Sequence, residues 1–152
     1  GSTSGIACFT VQMIEVEVDR ETGQVKITRA VSAHDVGTII NPIYHQGQID
    51  GGLAWGIGFG MTEELVLEEG RLLNPHLGDY KLPVIKDMPP LETVLVQHKT
   101  GPAPYNAKGI GESSNVPTAA AIANAVFAAV GVRITDLPVT SEKVYRALQA
   151  HQ

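Results

Sequence analysis

Glycine spacing constrains the segment from Pro42 to Glu64 more than any other feature of the sequence. Gly52, Gly56 and Gly60 recur at every fourth position, so in a helix they lie on one face. Each glycine costs about 0.5–1 kcal/mol relative to alanine in a helix interior. Close contact with another backbone or with a ligand would explain why glycines occupy this face. Packing of the helix on a sheet is the commonest form of such contact. The segment therefore predicts a helix with one closely packed face.

The other segments predict a mixture of strands and helices. Asn41 and Pro42 supply an N-cap and a first helical residue for the Gly-rich helix. The remaining predictions are a hairpin over 11–31 with its turn at 19–23, a hairpin over 64–74, a strand over 91–97, and helices from about 117 to 130 and from about 140 to 149. This order of elements predicts an α+β fold, with β-hairpins, a Gly-rich helix and two C-terminal helices.

Composition indicates a single domain, part of whose surface is covered by other protein. The 152 residues are 43% hydrophobic, which is enough for a core, whereas only 18% are charged, below the roughly 25% usual in soluble domains. We therefore expect part of the surface to be covered by more of the same polypeptide or by a partner. The net charge of −5 without a Lys/Arg cluster argues against binding to nucleic acid or to an anionic membrane surface.

The single cysteine and the chain terminus bear on localisation. Cys8 is alone, so neither an internal disulfide nor a cysteine-based metal site is expected. A lone thiol without a signal peptide or a membrane-spanning stretch predicts a cytoplasmic protein. Gly1 and Ser2 look like a remnant of cloning, and residues 1–10 are expected to be an N-terminal extension.

Few side chains have the spacing of a catalytic or metal site. The five histidines show no metal-ligand spacing, and the sequence offers no obvious nucleophile. The adjacent pairs Glu63-Glu64 and Glu68-Glu69 point in different directions on a helix or a strand, so we expect solvated charges.

The run from Lys108 to Pro117, with the sequence KGIGESSNVP, has three interpretations. Its glycines and the following helix N-terminus could hold a phosphate, with Lys108 nearby. Glu112 or a serine could cap the helix. Alternatively, Glu112 could be a general base, with a pKa raised by partial burial against the Ala-rich helix. Physical reasoning alone leaves these three open.

Taken together, several motifs give the chain a family resemblance. The motifs are DVG at 35–37, INP at 40–42, GQIDGG at 47–52, EEL at 63–65, YKLP at 80–83, KGIGE at 108–112, ANAV at 123–126, GVR at 131–133 and LPVT at 137–140. In this order they resemble the C-terminal part of the molybdenum-binding subunit of the xanthine dehydrogenase and aldehyde oxidase family. By this resemblance, residues 11–152 are the C-terminal portion of a molybdenum cofactor-binding domain.

The resemblance implies a molybdenum hydroxylase that acts on an aldehyde, a purine or another N-heterocycle with oxygen derived from water. Its cofactor is a molybdenum–pterin, molybdopterin itself or its cytosine dinucleotide form, held without a protein ligand to the metal. Glu112 is implied to be the general base that takes the proton from the molybdenum-bound hydroxide. Gln48 and the groups around Ile110 and Gly111 are implied to lie beside the cofactor.

The resemblance also implies partners. Iron–sulfur clusters and FAD are expected on other domains or subunits, and the remainder of the molybdenum subunit is expected to complete the pocket. Many family members have proline after the motif glutamate, whereas this chain has Ser113-Ser114-Asn115, so Ser113 is a candidate donor to the cofactor phosphate. We expect the isolated chain to be inert and to self-associate. The alternative is a non-catalytic binding module, a split-off or relic domain that pairs with a separate chain.

Overall fold

The computed structural model describes residues 7–100 and 103–151, so the predicted cloning remnant at Gly1-Ser2 lies outside the described residues. Within these residues, five strands and four α-helices follow one another along the chain. They are β1 (Thr10–Val18), β2 (Val25–Asp35), α1 (Pro42–Met61), β3 (Leu67–Glu68), β4 (Arg71–Leu72), α2 (Leu77–Tyr80), β5 (Leu91–Val96), α3 (Thr118–Val130) and α4 (Ser141–Gln149). The α+β prediction is confirmed.

Strands β1 and β2 form the predicted antiparallel hairpin. Its turn closes where the Asp19 carboxylate accepts a hydrogen bond from the backbone N–H of Glu21. Gly23 has φ +73° and faces the start of α4, where an added Cβ would overlap the Ser141 carbonyl oxygen. Glycine is therefore required at this position both by conformation and by space.

Strand β5 pairs in parallel with β2 and completes a three-stranded sheet in the order β1-β2-β5. The strand itself is predicted by the sequence, but its parallel partner is not. The second hairpin is also confirmed, although β3 and β4 pair over only two residues each. The short helix α2 is not predicted by the sequence.

Capping residues mark the start of α1, the end of α3 and the start of α4. The Asn41 side chain accepts hydrogen bonds from the N–H groups of Ile43 and Tyr44 at the start of α1. Gly131, with φ +78°, ends α3, and Thr140 caps α4. Within the described residues, no helix is both long and apolar enough to cross a membrane.

The core lies between the inner face of the sheet and the helices. Its buried apolar residues include Ile14 and Ala30 from the hairpin, Leu53 and Ile57 from α1, and Ile122 from α3. Among the described residues, no helix covers the outer face of the sheet, which exposes apolar side chains. These are Phe9, Val11, Met13, Val94 and Val96, each between 42% and 69% exposed.

The glycine face of α1 packs against α3 and the residues just before it, not against the sheet as expected. An added Cβ at Gly52 would overlap the Ser114 hydroxyl, and one at Gly56 would lie 2.5 Å from Thr118 Cβ. One at Gly60 would lie 3.2 Å from Ile122 Cδ1. The three glycines are four residues apart, and so are their partners Ser114, Thr118 and Ile122. This matched spacing allows α1 to contact α3 and the residue before it closely.

One of the glutamates predicted to be solvated is buried. Glu63 is only 8% exposed, and its carboxylate contacts Gly58 at the end of α1. Its hydrogen bond with Tyr80 raises the pKa of the Tyr80 hydroxyl. Glu63 therefore ties the end of α1 to α2, and the prediction is wrong because a neighbouring donor compensates its burial.

Candidate functional site

The segment before the KGIGE motif is anchored to the end of strand β2. The Lys108 N–H donates to the Val36 carbonyl at 3.0 Å, and Gly37 forms an antiparallel bridge with Ala107. Gly37 has φ +62°, and an added Cβ would overlap the Asn106 carbonyl oxygen. The DVG motif therefore owes its glycine to this close backbone approach.

The Lys108 ammonium forms a buried ion pair with the Asp35 carboxylate. The two side chains are 5% and 12% exposed, and this hydrogen bond holds the pKa of Asp35 below its usual range. The Lys108 charge is therefore buried and neutralised by Asp35. The interpretation of the motif as a phosphate cradle that uses this lysine is wrong.

Ser114 joins the motif turn to helix α1. Its hydroxyl donates to the Gln48 carbonyl at 3.2 Å, and its own carbonyl accepts a hydrogen bond from the Gln12 amide at 2.6 Å. The residue is 0% exposed, and the absence of a side chain at Gly52 makes room for it. Gln48 on α1 and Glu112 in the turn are thus brought to the same part of the molecule by a residue between them.

We call Ser114 and its hydrogen bonds to Gln48 and Gln12 the Ser114 joint. The five predicted site residues belong to the two segments that it connects, and they differ in exposure. Gln48, Gly111 and Glu112 are exposed, whereas Ile110 and Ser113 are partly buried. The turn spans residues 111–117 and leads directly into α3. The Gln48 amide, the Glu112 carboxylate and the backbone of Gly111 are therefore each accessible to a polar molecule.

Helix capping does not explain Glu112 or its neighbouring serines. The N-cap of α3 is Pro117, without a side-chain hydrogen bond, so neither Glu112 nor Ser113 caps the helix. The expected partial burial of Glu112 against α3 is also wrong, because the side chain is exposed among the described residues. Any desolvation of this carboxylate has to come from a ligand or from other parts of the protein.

Two glycines of α1 point away from the packed face. An added Cβ at Gly47 or Gly51 would meet no described heavy atom within 4 Å, and the same holds for Gly111 in the motif turn. These residues flank Gln48 and Glu112. Gly47 and Gly51 weaken α1 without a packing contact among the described residues, so their backbone, like that of Gly111, is open to a molecule from outside.

A buried polar network on the inner face of the sheet was not predicted by the sequence analysis. It joins Gln12 and Ser32 of the hairpin to Thr118 of α3. His34 extends it, because its ring lies 2.7 Å from the Ser32 hydroxyl and 3.2 Å from the Thr10 hydroxyl. The available signal was Gln12 itself, a polar residue on the strand face that carries Ile14, Val16 and Val18.

The described residues contain no cluster of three or more histidine, cysteine, aspartate or glutamate side chains that could hold a metal ion. What the site offers is hydrogen-bonding groups, open backbone and one exposed carboxylate. Such an arrangement can hold an extended polar group from one side, and Glu112 can accept a proton there.

Sequence comparison shows the family to which the chain belongs. The sequence model of the molybdopterin cofactor-binding domain family matches residues 1–89, more than half of the 152 residues. The chain therefore belongs to this family. The xanthine dehydrogenase molybdenum-binding subunit of Escherichia coli O157:H7 is 38% identical over 146 residues, 95% of this chain. The large chain of carbon monoxide dehydrogenase from Hydrogenophaga pseudoflava is 38% identical over 150 residues, 94% of this chain.

The fold matches solved structures of similar enzymes. Aldehyde oxidoreductase from Desulfovibrio gigas superposes with a TM-score of 0.86 at 38% sequence identity, over 93% of this chain. The chain covers only 15% of that enzyme, 19% of the Escherichia coli protein and 18% of the Hydrogenophaga protein. It thus corresponds to a small part of each of these relatives.

Proposed function

We propose that this chain is the part of a molybdenum hydroxylase that contributes the general base and one wall of the cofactor pocket. The observation that carries this proposal is the buried Ser114 joint, which brings the turn of Glu112 to Gln48. The reaction class is the replacement of a substrate C–H bond by C–OH. Water supplies the oxygen, and two electrons and two protons leave.

The surface around Gln48 fits a molybdenum–pterin cofactor. When bound, this cofactor supplies the metal that accepts the two electrons from the substrate. Gln48 offers an exposed amide with both donor and acceptor groups, and Gly47, Gly51 and Gly111 leave the backbone accessible. We assign Gln48, the backbone of Ile110 and Gly111, and the Ser113 hydroxyl to cofactor binding, whether as molybdopterin or as its cytosine dinucleotide.

Glu112 is proposed to act as the general base. A base works when its carboxylate lies about 2.6–3.2 Å from the proton that it accepts. The Glu112 side chain is exposed and can therefore meet a bound molecule, and the hydrogen bond from the Ser114 hydroxyl to the Gln48 carbonyl limits how far the turn can move. The bound cofactor, the substrate and the remaining protein would exclude water from the carboxylate and strengthen it as a base.

The apolar outer face of the sheet is proposed to contact the remainder of the molybdenum subunit. Val11 of β1, Ala33 of β2 and Val94 of β5 lie side by side across the three strands, and Val11 is 69% exposed. An exposed apolar surface of this kind marks an interaction site. The remainder would also complete the pocket, so we propose that the isolated chain is inactive and self-associates through this face.

The substrate and the route of the electrons follow from the family only as proposals. Two of the relatives above are named for xanthine and for aldehydes, so we propose that the substrate is an aldehyde, a purine or another N-heterocycle. The electrons would leave through iron–sulfur clusters and FAD on other domains or subunits. We propose a cytoplasmic location for the complete enzyme.

Glu112→Gln in the full-length protein that contains this chain tests the proposal. The substitution keeps the shape of the side chain but removes the proton acceptor. Turnover per bound molybdenum should fall at least by the 10²–10⁴-fold typical of a general base, with molybdenum content unchanged. Glu64→Gln, an exposed glutamate distant from the motif turn in sequence, is the control and should keep the wild-type rate.

A fully loaded Glu112→Gln enzyme that turns over at a near wild-type rate would exclude Glu112 as the base. If the full-length protein instead contains no molybdenum, the chain is better explained as a binding module that pairs with a separate protein.

A further inference from the structure

The amide of Gln12 is held on three sides by buried partners. Its Nε2 donates to the Ser114 carbonyl at 2.6 Å and to the Ser32 hydroxyl at 3.0 Å, and its Oε1 accepts from the Thr118 hydroxyl at 2.8 Å. Ser32, Ser114 and Thr118 are each 0% exposed. Because a carbonyl only accepts hydrogen bonds, Nε2 and not Oε1 must face Ser114, and the orientation of the amide is fixed.

The residues behind Gln12 stabilise this orientation. The Ser32 hydroxyl accepts from Gln12 and can donate its own hydrogen to His34 Nε2, 2.7 Å away. His34 Nδ1 can then donate to the Thr10 hydroxyl at 3.2 Å. Burial lowers the pKa of His34 and so favours the neutral ring that this arrangement needs. A fully bonded buried network of this kind restricts each member to one conformation.

Ser114 transmits this restraint to the turn. It lies two residues after Glu112, and the backbone N–H of Asn115 donates to the Glu112 carbonyl at 3.1 Å. The Ser114 hydroxyl is held by α1 and its carbonyl by Gln12. Loss of the Gln12 amide would leave the buried Ser114 carbonyl with only the Thr118 hydroxyl, 3.4 Å away, as a side-chain donor, and the turn would shift to shorten this weaker contact.

We infer that Gln12 is a positioning residue for Glu112: by holding the Ser114 carbonyl, it fixes the turn that presents the general base. This inference rests on the proposed role of Glu112. Proton transfer tolerates little displacement, since a shift of about 1 Å in a reacting group can lower a rate by about 10²-fold. Gln12 itself acts only through Ser114 and is not a catalytic residue.

The test uses the full-length protein that contains this chain. Gln12→Leu should lower kcat per bound molybdenum by about 10–100-fold, with KM unchanged. Backbone amides 111–115 should exchange hydrogen faster than in the wild type. Gln24→Leu replaces an exposed glutamine in the hairpin turn and should change neither the rate nor the exchange.

Thr118→Val is a milder second variant in case Gln12→Leu does not fold. It removes the hydroxyl that donates to Gln12 Oε1 but keeps the size and the branching of the side chain. We expect a smaller fall in kcat, again with KM unchanged. The split between kcat and KM separates a positioning role from a general loss of stability, which would lower the amount of active protein and not the rate per molybdenum.

Comparison with Glu112→Gln separates failure of the positioning role of Gln12 from failure of the proposed function. If Glu112→Gln collapses turnover while Gln12→Leu, or Thr118→Val in its place, keeps the wild-type kcat, the inference is overturned and the role of Glu112 stands. Faster exchange or a lower Tm without a change in kcat would likewise make Gln12 a structural residue only. If Glu112→Gln itself has no effect, the proposed function fails, and the inference fails with it.

Discussion

Gly51 and Gly56 of α1 provide a matched pair of sites for measuring how closely this helix must pack. Both are glycines in the same helix, but an added Cβ at Gly51 would meet no described heavy atom within 4 Å. An added Cβ at Gly56 would lie 2.5 Å from both Thr118 Cβ and Thr118 Oγ1. Replacing each by alanine adds the same methyl group in two different environments.

The expected magnitudes follow from these distances. Gly51→Ala should stabilise the chain by about 0.5–1 kcal/mol through helix propensity alone. Gly56→Ala has the same gain, but the ordinary contact distance between carbon atoms is about 3.5–4.0 Å, so α1 and α3 would have to separate by about 1 Å. Overpacking of this kind typically costs about 1–3 kcal/mol. Because the propensity terms cancel, the two variants should differ by about 1–3 kcal/mol, with Gly56→Ala the less stable.

Urea unfolding of the 152-residue chain, followed by the helical circular dichroism signal, measures this difference. An unchanged m-value would show that the substitution acts on stability and leaves the surface exposed on unfolding the same. Equal free energies of unfolding for Gly51→Ala and Gly56→Ala would refute the close contact between the glycine face and α3.

Three further predictions concern the cofactor surface, the buried histidine and the outer sheet face. Gln48→Ala should lower the molybdenum content of the full-length protein without changing the Tm of this chain, since the Gln48 side chain is exposed; a large Tm shift would make Gln48 a structural residue. Burial lowers the pKa of His34 from 6.5, so the folded chain should lose stability as the pH falls below about 6.5 toward the lowered value. Urea unfolding at pH 7.5 and pH 5.5 should show this loss, at no more than ~1.4 kcal/mol per pH unit for one proton, and His34→Gln should reduce it. Sedimentation of the isolated chain should show a species heavier than the 16.2 kDa monomer. Met13→Lys should weaken this self-association, because Met13 is 54% exposed on the apolar face. A monomeric wild-type chain would contradict the prediction.

Local sequence signals predicted most of the secondary structure. Asn41 with Pro42 predicted the start of α1, and the two C-terminal helices predicted over about 117–130 and 140–149 lie at Thr118–Val130 and Ser141–Gln149. These signals work because capping depends on residues within one turn of the helix end. The parallel pairing of β5 with β2 was not predicted, since no local signal identifies a partner 60 or so residues away along the chain.

The sequence predicted which residues belong to the site but not the contacts that arrange them. The family resemblance singled out Gln48 and Glu112, but it did not reveal that Ser114 joins their two segments or that Gln12 holds Ser114. Lys108 was assigned to a ligand in one interpretation because its Asp35 partner is distant in sequence. Such contacts depend on which side chains the fold brings together.

The sequence by itself determined the three long helices, the two hairpins and the face of α1 on which its glycines recur, because these depend on periodicity, capping and backbone conformation over a few residues. Only the tertiary structure decided what each glycine of α1 packs against. Gly52 and Gly56 face Ser114 and Thr118, whereas an added Cβ at Gly51 would meet no described heavy atom within 4 Å. It also decided that Glu63 is buried and that Glu112 is exposed. The physical reason is that burial and hydrogen bonding of a side chain depend on neighbours far away in sequence, whose positions no local pattern encodes.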